Sequence, residues 1–234
     1  MLWVADLFSS RSARLASKIG FRLSKIWEVS LNCVPKSKAN LMSLEYALDR
    51  FPMQVRLKDG LECLLRPLGK RDEFKLHRFF LAVPEEERLF IKQPIHDRSL
   101  LSSWCRRVDY ERNLPLVMLH DSRIIGEATL HQRTGGWKRH VGLVTVLTHP
   151  DYRGRDVAKI LVEQIIHVAS HLGLRKLEAE LNGERRVAIR ALELLGFRQL
   201  LHLPDYVLDM QAQPHDYVVL GMDLITDEDY AAPG

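Results

Sequence analysis

From about residue 50 onward the chain alternates between two hydrophobic periods. Period-two runs over Gln54 to Leu57 and Glu62 to Arg66 flank Asp59-Gly60 and predict a β-hairpin. Arg71 to Ala82 reads as a helix carrying Phe74, Phe79 and Phe80, and Leu100 to Val108 as a second. Leu116 to His120 and Arg123 to Leu130 are strands joined at Asp121-Ser122, and Val141 to Leu147 is an apolar, central strand. A long helix follows from about Asp156 to Leu172: Val157, Ile160, Leu161, Ile165, Val168 and Leu172 line one face, and Gly173 stops it. Lys176 to Leu181 alternates strictly. A shorter helix runs from Arg186 to Leu195, ends at Gly196, and precedes strands over Phe197 to His202 and Tyr217 to Leu224. This order predicts an α/β (α+β) fold with a mixed, mostly antiparallel central sheet and helices on both faces, preceded by a helical extension.

The extension differs from the body. Residues 1–40 hold seven Lys/Arg against two acids, while the other 194 hold 27 against 28, so the net charge of +4 belongs to the leader. A basic surface over the whole protein is excluded, and no nucleic-acid partner is expected. Arg11, Arg14, Lys18, Arg22 and Lys25 recur at helical spacing beside Leu15, Ile19, Leu23 and Ile26. Residues 11–27 thus read as a basic amphipathic helix for an anionic membrane surface, as a targeting peptide, or as a helix packed on its own domain or a second subunit, which makes a homodimer one expectation. The division expected is leader and linker over 1–45, one domain over 46–225 and a short acidic tail over 226–234. Three scattered cysteines without a CxxC or Cys/His spacing, and no apolar run of membrane-spanning length, point to a cytoplasmic protein, membrane-peripheral at most, with no metal site.

The chemistry concentrates after the central strand. A strand feeding a tight Arg/Gly turn into a helix start outlines a phosphate site: unpaired backbone N–H groups point outward and the helix dipole adds positive potential. Arg153, Arg155 and Lys159 add full charges, and Gly154 admits a ligand close to the backbone.

The string His149-Pro150-Asp151-Tyr152-Arg153-Gly154-Arg155-Asp156-Val157-Ala158 resembles motif A of the GNAT N-acyltransferases. Asn182, Ala188 and Leu194-Leu195-Gly196-Phe197 resemble the family's downstream element, and Ile124-Ile125-Gly126 the small-residue step of its third strand. The resemblance spans about 62–224. It implies an N-acyltransferase that moves an acetyl or related group from acetyl-CoA (acyl-CoA), its co-substrate, to a primary amine by direct attack. Arg153, Gly154, Arg155, Asp156, Val157 and Ala158 would cradle the pyrophosphate, with Asn182 beside them. The strand ending at Val146, Leu147 and Thr148 would pair with the pantetheine arm, and one of its N–H groups would polarise the thioester carbonyl and stabilise the developing oxyanion. Pro84 to Phe90 and Val108 to Arg112 resemble stretches of bacterial protein-lysine acetyltransferases, so the acceptor is a small-molecule amine or a protein lysine.

Three positions depart from the family pattern. Asp156 replaces a glycine, Leu143 a common catalytic Glu, and Leu192 a common Tyr acid. Read as a first-turn acid, Asp156 gains roughly 0.3–1 kcal/mol from the helix dipole. Its replacement by Gly is then expected to lower stability by about 1 kcal/mol. Glu127 is the first choice for the base and Tyr206 or Tyr217 for the acid; Glu178, Glu180, His215 and Asp216 are further candidates, and His140 and His149 read as structural. The departures also admit a weakened acyl-CoA-binding module, and the leader a membrane-surface scaffold.

Overall fold

The computed structural model describes residues 44–89, 91 and 98–225. Its strands are β1 (Met53–Arg56), β2 (Glu62–Pro67), β3 (Asn113–His120), β4 (Arg123–His131), β5 (Val141–Thr148), β6 (Lys176–Asn182), β7 (Arg198–Leu208) and β8 (Pro214–Asp223). Its helices are α1 (Glu73–Ala82), α2 (Glu85–Arg88), α3 (Arg98–Arg106), α4 (Val157–His171) and α5 (Arg186–Leu194). The eight strands form one sheet in the order β1-β2-β3-β4-β5-β6-β8-β7. Every neighbouring pair is antiparallel except β5 with β6. This is the mixed, mostly antiparallel sheet that the alternation predicts.

Side-chain alternation divides the core into two layers. Ala128 and Leu130 of β4, Val144 of β5 and Leu177 and Ala179 of β6 pack with Val157, Leu161, Ile165 and Val168 of α4. Val117, Leu119 and Ile124 face the other way, onto Leu76, Phe79 and Phe80 of α1 and Leu101 and Cys105 of α3. The register between β3 and β4 shifts between Met118 and Leu119, which turns Ile125 into the same layer as its neighbour Gly126 and leaves Ile124 in the other. Gly126 seats α4 on the sheet, since a Cβ there would lie 2.4 Å from Val157 Cγ1 and 2.8 Å from Leu161 Cδ1. A helical stretch over 44–48 places Ala47 in the α4 layer. Cys63 and Cys105 are free and buried, and burial pushes the Cys105 thiol up to about 11, which keeps it unreactive.

Four elements differ from the sequence expectation. Pro84 opens a short helix, α2, in a stretch without a helical apolar stripe. β7 and β8 are longer than expected. Pro204 and Asp205, the latter at φ +52°, form an irregularity between the rungs Leu203–Tyr217 and Val207–His215 of an edge strand, where a missing N–H costs little. Helix α4 begins at Val157, with Asp156 outside it as the N-cap residue. Among the described residues no helix is long and apolar enough to cross a membrane. The basic segment 11–27 and the tail 226–234 lie outside the described residues.

Candidate functional site

The parallel pairing of β5 with β6 stops early. It joins Val141–Lys176, Gly142–Leu177 and Leu143–Glu178 and goes no further. Each strand continues on its outer side, β5 against β4 as far as Thr148 and β6 against β8 as far as Asn182. The two strands therefore diverge above Leu143 and Glu178 and open a slot inside the sheet. Along it the facing backbone edges of Val144 to Thr148 and Ala179 to Asn182 have no strand partner. Backbone groups inside a fold require partners, and an open edge suits an extended ligand with amides of its own.

The start of α4 stands at the head of this slot. Asp156 makes no side-chain cap, and the first helical bond from this turn runs from Ile160 N to Asp156 O at 3.0 Å. The N–H groups of Val157, Ala158 and Lys159 are the orphan donors of the helix start. Gly154 and Asp156 are both left-handed, at φ +71° and +69°. His149 shapes the turn, its Nδ1 accepting from Asp151 N at 3.3 Å and its ring packing edge-on against Tyr152. Burial pushes its pKa down. The structural role expected for His149 is the one observed.

The left-handed Asp156 corrects the first-turn reading. The aligned glycine of the family pattern now has a backbone reason: a Cβ at positive φ costs about 1–2 kcal/mol, less for Asp than for most residues. Relief of that strain offsets the lost dipole interaction and the added chain entropy in Asp156→Gly. The variant is expected to melt within a degree or two of the parent rather than lower, as thermal unfolding would read.

The arginines at the head of the slot are engaged by acids. The Glu87 carboxylate, 10% exposed, meets Arg153 at 2.6 Å and Arg185 at 3.1 Å. It thus bridges the loop after β5 and the loop after β6. Arg155 pairs with Asp59 at 2.9 Å and lies over the Tyr152 ring. Asn182 is buried, and its side-chain oxygen accepts from Glu184 N at 2.9 Å. Sequence reasoning missed Glu87, because in Glu85-Glu86-Glu87 nothing distinguishes the one acid that folds inward.

Two of the nominated proton-transfer residues flank the slot on the sheet face opposite α4. Glu127 lies between Val117 and Leu147 in the register, is 7% exposed, and accepts a hydrogen bond from the Thr129 hydroxyl. Desolvation pushes its pKa up to about 7. Tyr217 stands across the slot, opposite Asn182 on β8, next to Val218, whose side chain is in the α4 layer. Burial, and then the Glu180 carboxylate to which it hydrogen-bonds, hold the Tyr217 phenol well above its ordinary range. Tyr206 is 62% exposed, its ring 5.8 Å from that of Tyr217. His215 is taken up by Asp209 at 3.2 Å and Glu184 at 3.3 Å, and Asp216 by His202 at 2.7 Å, so these residues tie the β7–β8 hairpin together. Leu192, at the expected position of a Tyr acid, is buried in the α4 layer.

A sequence model of the acetyltransferase (GNAT) family matches residues 78–197. The chain belongs to the GNAT family of acetyltransferases. Solved structures agree on the fold. The GNAT domain of S. lividans PAT superposes with a TM-score of 0.62 at 21% identity, over 74% of this chain and 96% of that one. The ribosomal-protein-alanine N-acetyltransferase of Brucella melitensis gives 0.62 at 17%, over 69% and 99%. The putative acetyltransferase yncA of Salmonella typhimurium, solved with its cofactor acetyl-CoA, gives 0.60 at 17%, over 74% and 98%. No curated protein matches the chain by sequence. Family membership makes the chain an acetyl-CoA-dependent N-acetyltransferase in general terms.

Proposed function

We propose that this GNAT protein transfers an acetyl group from acetyl-CoA to the primary amine of an alkylammonium acceptor such as a lysine side chain. The observation that carries the reading is the slot between β5 and β6, headed by the uncapped start of α4 and flanked on one face by Glu127 and Tyr217. The N–H groups of Val157 and Ala158, in the turn begun by Arg153, Gly154 and Arg155, bind the diphosphate. The open edge of Val146, Leu147 and Thr148 pairs with the amides of the pantetheine arm, and one N–H lower on the same strand, toward the closed end of the slot, polarises the thioester carbonyl.

The acceptor approaches the face opposite α4, which carries Glu180 and, paired with Lys138, Glu178. Glu127, one strand beyond the slot at a spacing of about 4.8 Å, takes the ammonium proton through an intervening water. A carboxyl that titrates near neutral pH holds that proton transiently and releases it. The amine lone pair attacks the carbonyl carbon, the C–S bond breaks, the Tyr217 phenol supplies a proton to the departing sulfur, and the surplus proton on the nitrogen returns through water to the Tyr217 oxygen, leaving one N–H on the amide. The protein-lysine acceptor is supported by this acidic face and by the resemblance of Pro84 to Phe90 and Val108 to Arg112.

The test is the full chain titrated with acetyl-CoA, then assayed for free CoA with n-butylamine or a lysine peptide. Saturable binding and amine-dependent release are expected. Binding without release for any amine would leave an acyl-CoA-binding module, and absence of binding would overturn the reading altogether. Asp156→Gly removes a negative charge from the diphosphate turn, so its Kd for CoA is expected to fall threefold or more in the same calorimetric titration. An equal or weaker Kd would mean that the Asp156 carboxylate points away from the ligand.

A further inference from the structure

The last rung between β5 and β6 pairs Leu143 with Glu178. Gly142, Leu177 and Ala179 turn toward α4, so Glu178 and Leu143 turn to the opposite face, at the base of the slot. Thr145, exposed, is the next β5 residue on that face, and Glu180, exposed, the next on β6. An amine of this chain already sits there. The ammonium of Lys138, from the loop between β4 and β5, lies 3.0 Å from each oxygen of the Glu178 carboxylate. The Glu178 side chain is 19% exposed and that of Lys138 43%, so the pair is held against the sheet while the amine stays open to solvent on one side. The backbone under it is fixed, with Val141 N bonded to Lys138 O at 3.0 Å and Arg139 N to Gly136 O at 3.2 Å. The slot runs down from the start of α4 to the rung where this amine is seated.

We propose that Lys138 is a self-acetylation site, the chain's own amine occupying the place of the acceptor. The inference rests on the acetyl-transfer reading above. The Lys138 ammonium gives one proton to Glu178, and the freed lone pair attacks the thioester carbonyl. The C–N bond forms and the C–S bond breaks. The sulfur leaves as CoA thiol with a second proton from the nitrogen, and the amide keeps the third. Acetylation removes the charge that binds Glu178, so the product releases the carboxylate and clears the acceptor face for another amine.

The experiment incubates the full chain with acetyl-CoA and follows each lysine by peptide mass spectrometry. Lys138 is expected to gain one acetyl group at least tenfold faster than any other lysine. Glu178→Gln is expected to slow that gain about tenfold (about 1.4 kcal/mol). Lys138→Arg retains the ion pair and is expected to abolish the modified peptide. Equal labelling of all lysines, or an equal rate at Lys138 in the urea-unfolded chain, would overturn the proposal by assigning the modification to solution chemistry. CoA release with n-butylamine while Lys138 stays unmodified would overturn it and leave the acetyltransferase reading intact. Loss of both would remove the two together.

Discussion

Glu127→Gln is expected to lower kcat for amine acetylation by about 10²- to 10³-fold, with the Kd for acetyl-CoA within twofold of the parent. Glu127 touches the candidate slot only through its neighbour Leu147 in the register, so cofactor contacts survive the change. The parent kcat is expected to rise with pH and level off above about 7, where the Glu127 carboxyl ionises; the residual activity of the variant should lack that limb. A structural carboxyl would leave kcat unchanged.

Stability moves in the opposite direction. The folded-state pKa of about 7 lies above that of an unfolded Glu, so the contribution of Glu127 is fully present below the unfolded pKa and is lost as pH rises toward 7. Above pH 7 the deficit is complete, on the order of 3 kcal/mol by linkage. Glu127→Gln removes the titration, so the variant should unfold at higher denaturant than the parent at pH 8, with little difference near pH 4. An inactive variant that is more stable at pH 8 would mark Glu127 as a residue retained for chemistry at a cost to the fold. A variant less stable at both pH values would mark it as a structural hydrogen-bond acceptor for Thr129.

Gly154→Val is expected to weaken CoA binding at least tenfold, about 1.4 kcal/mol. A Cβ at Gly154 meets nothing within 4 Å, so crowding inside the protein is not the reason. The obstacle is the backbone. Gly154 sits at φ +71°, and a β-branched residue there is a severe outlier. The turn relaxes, and the N–H groups of Val157 and Ala158 no longer converge. Gly154→Asn separates backbone from bulk, because Asn tolerates the left-handed region. It is expected to hold CoA affinity within about threefold, since its added side chain is bulkier than hydrogen yet compatible with that φ. Equal CoA affinity in parent and Val variant, with unchanged melting, would sink the placement of the diphosphate at this turn.

The elements themselves were legible because their signals are local. Val157, Leu161, Ile165 and Val168 recur at helical spacing and line the buried face of α4. The strict alternation over β6 sends Leu177 and Ala179 inward and leaves Glu178 and Glu180 on the other face, as periodicity alone requires. The Arg/Gly turn marked the head of the slot for a similar reason, since orphan N–H groups follow from any helix start. What the sequence by itself determined was therefore which segments are strands and helices, which face each one buries, and that a helix begins after Gly154.

Tertiary structure decided everything that depends on partners distant in the chain. The slot exists because β4 and β8 draw β5 and β6 apart beyond the Leu143–Glu178 rung, and no pattern within either strand encodes that divergence. Asp156 read as a helical acid, but in the folded turn after β5 it is left-handed and stands ahead of the helix. Arg153 read as a full charge at the phosphate turn, and only the fold of α2 brings Glu87 between it and Arg185. Glu127 looked like one polar residue on a strand, and only the helices over that face remove it from water and raise its pKa. Lys138 and Glu178 stand 40 residues apart and meet only because β5 and β6 begin side by side. Hydrophobic period is a property of a few consecutive residues, whereas desolvation and ion pairing are properties of where the chain returns to itself.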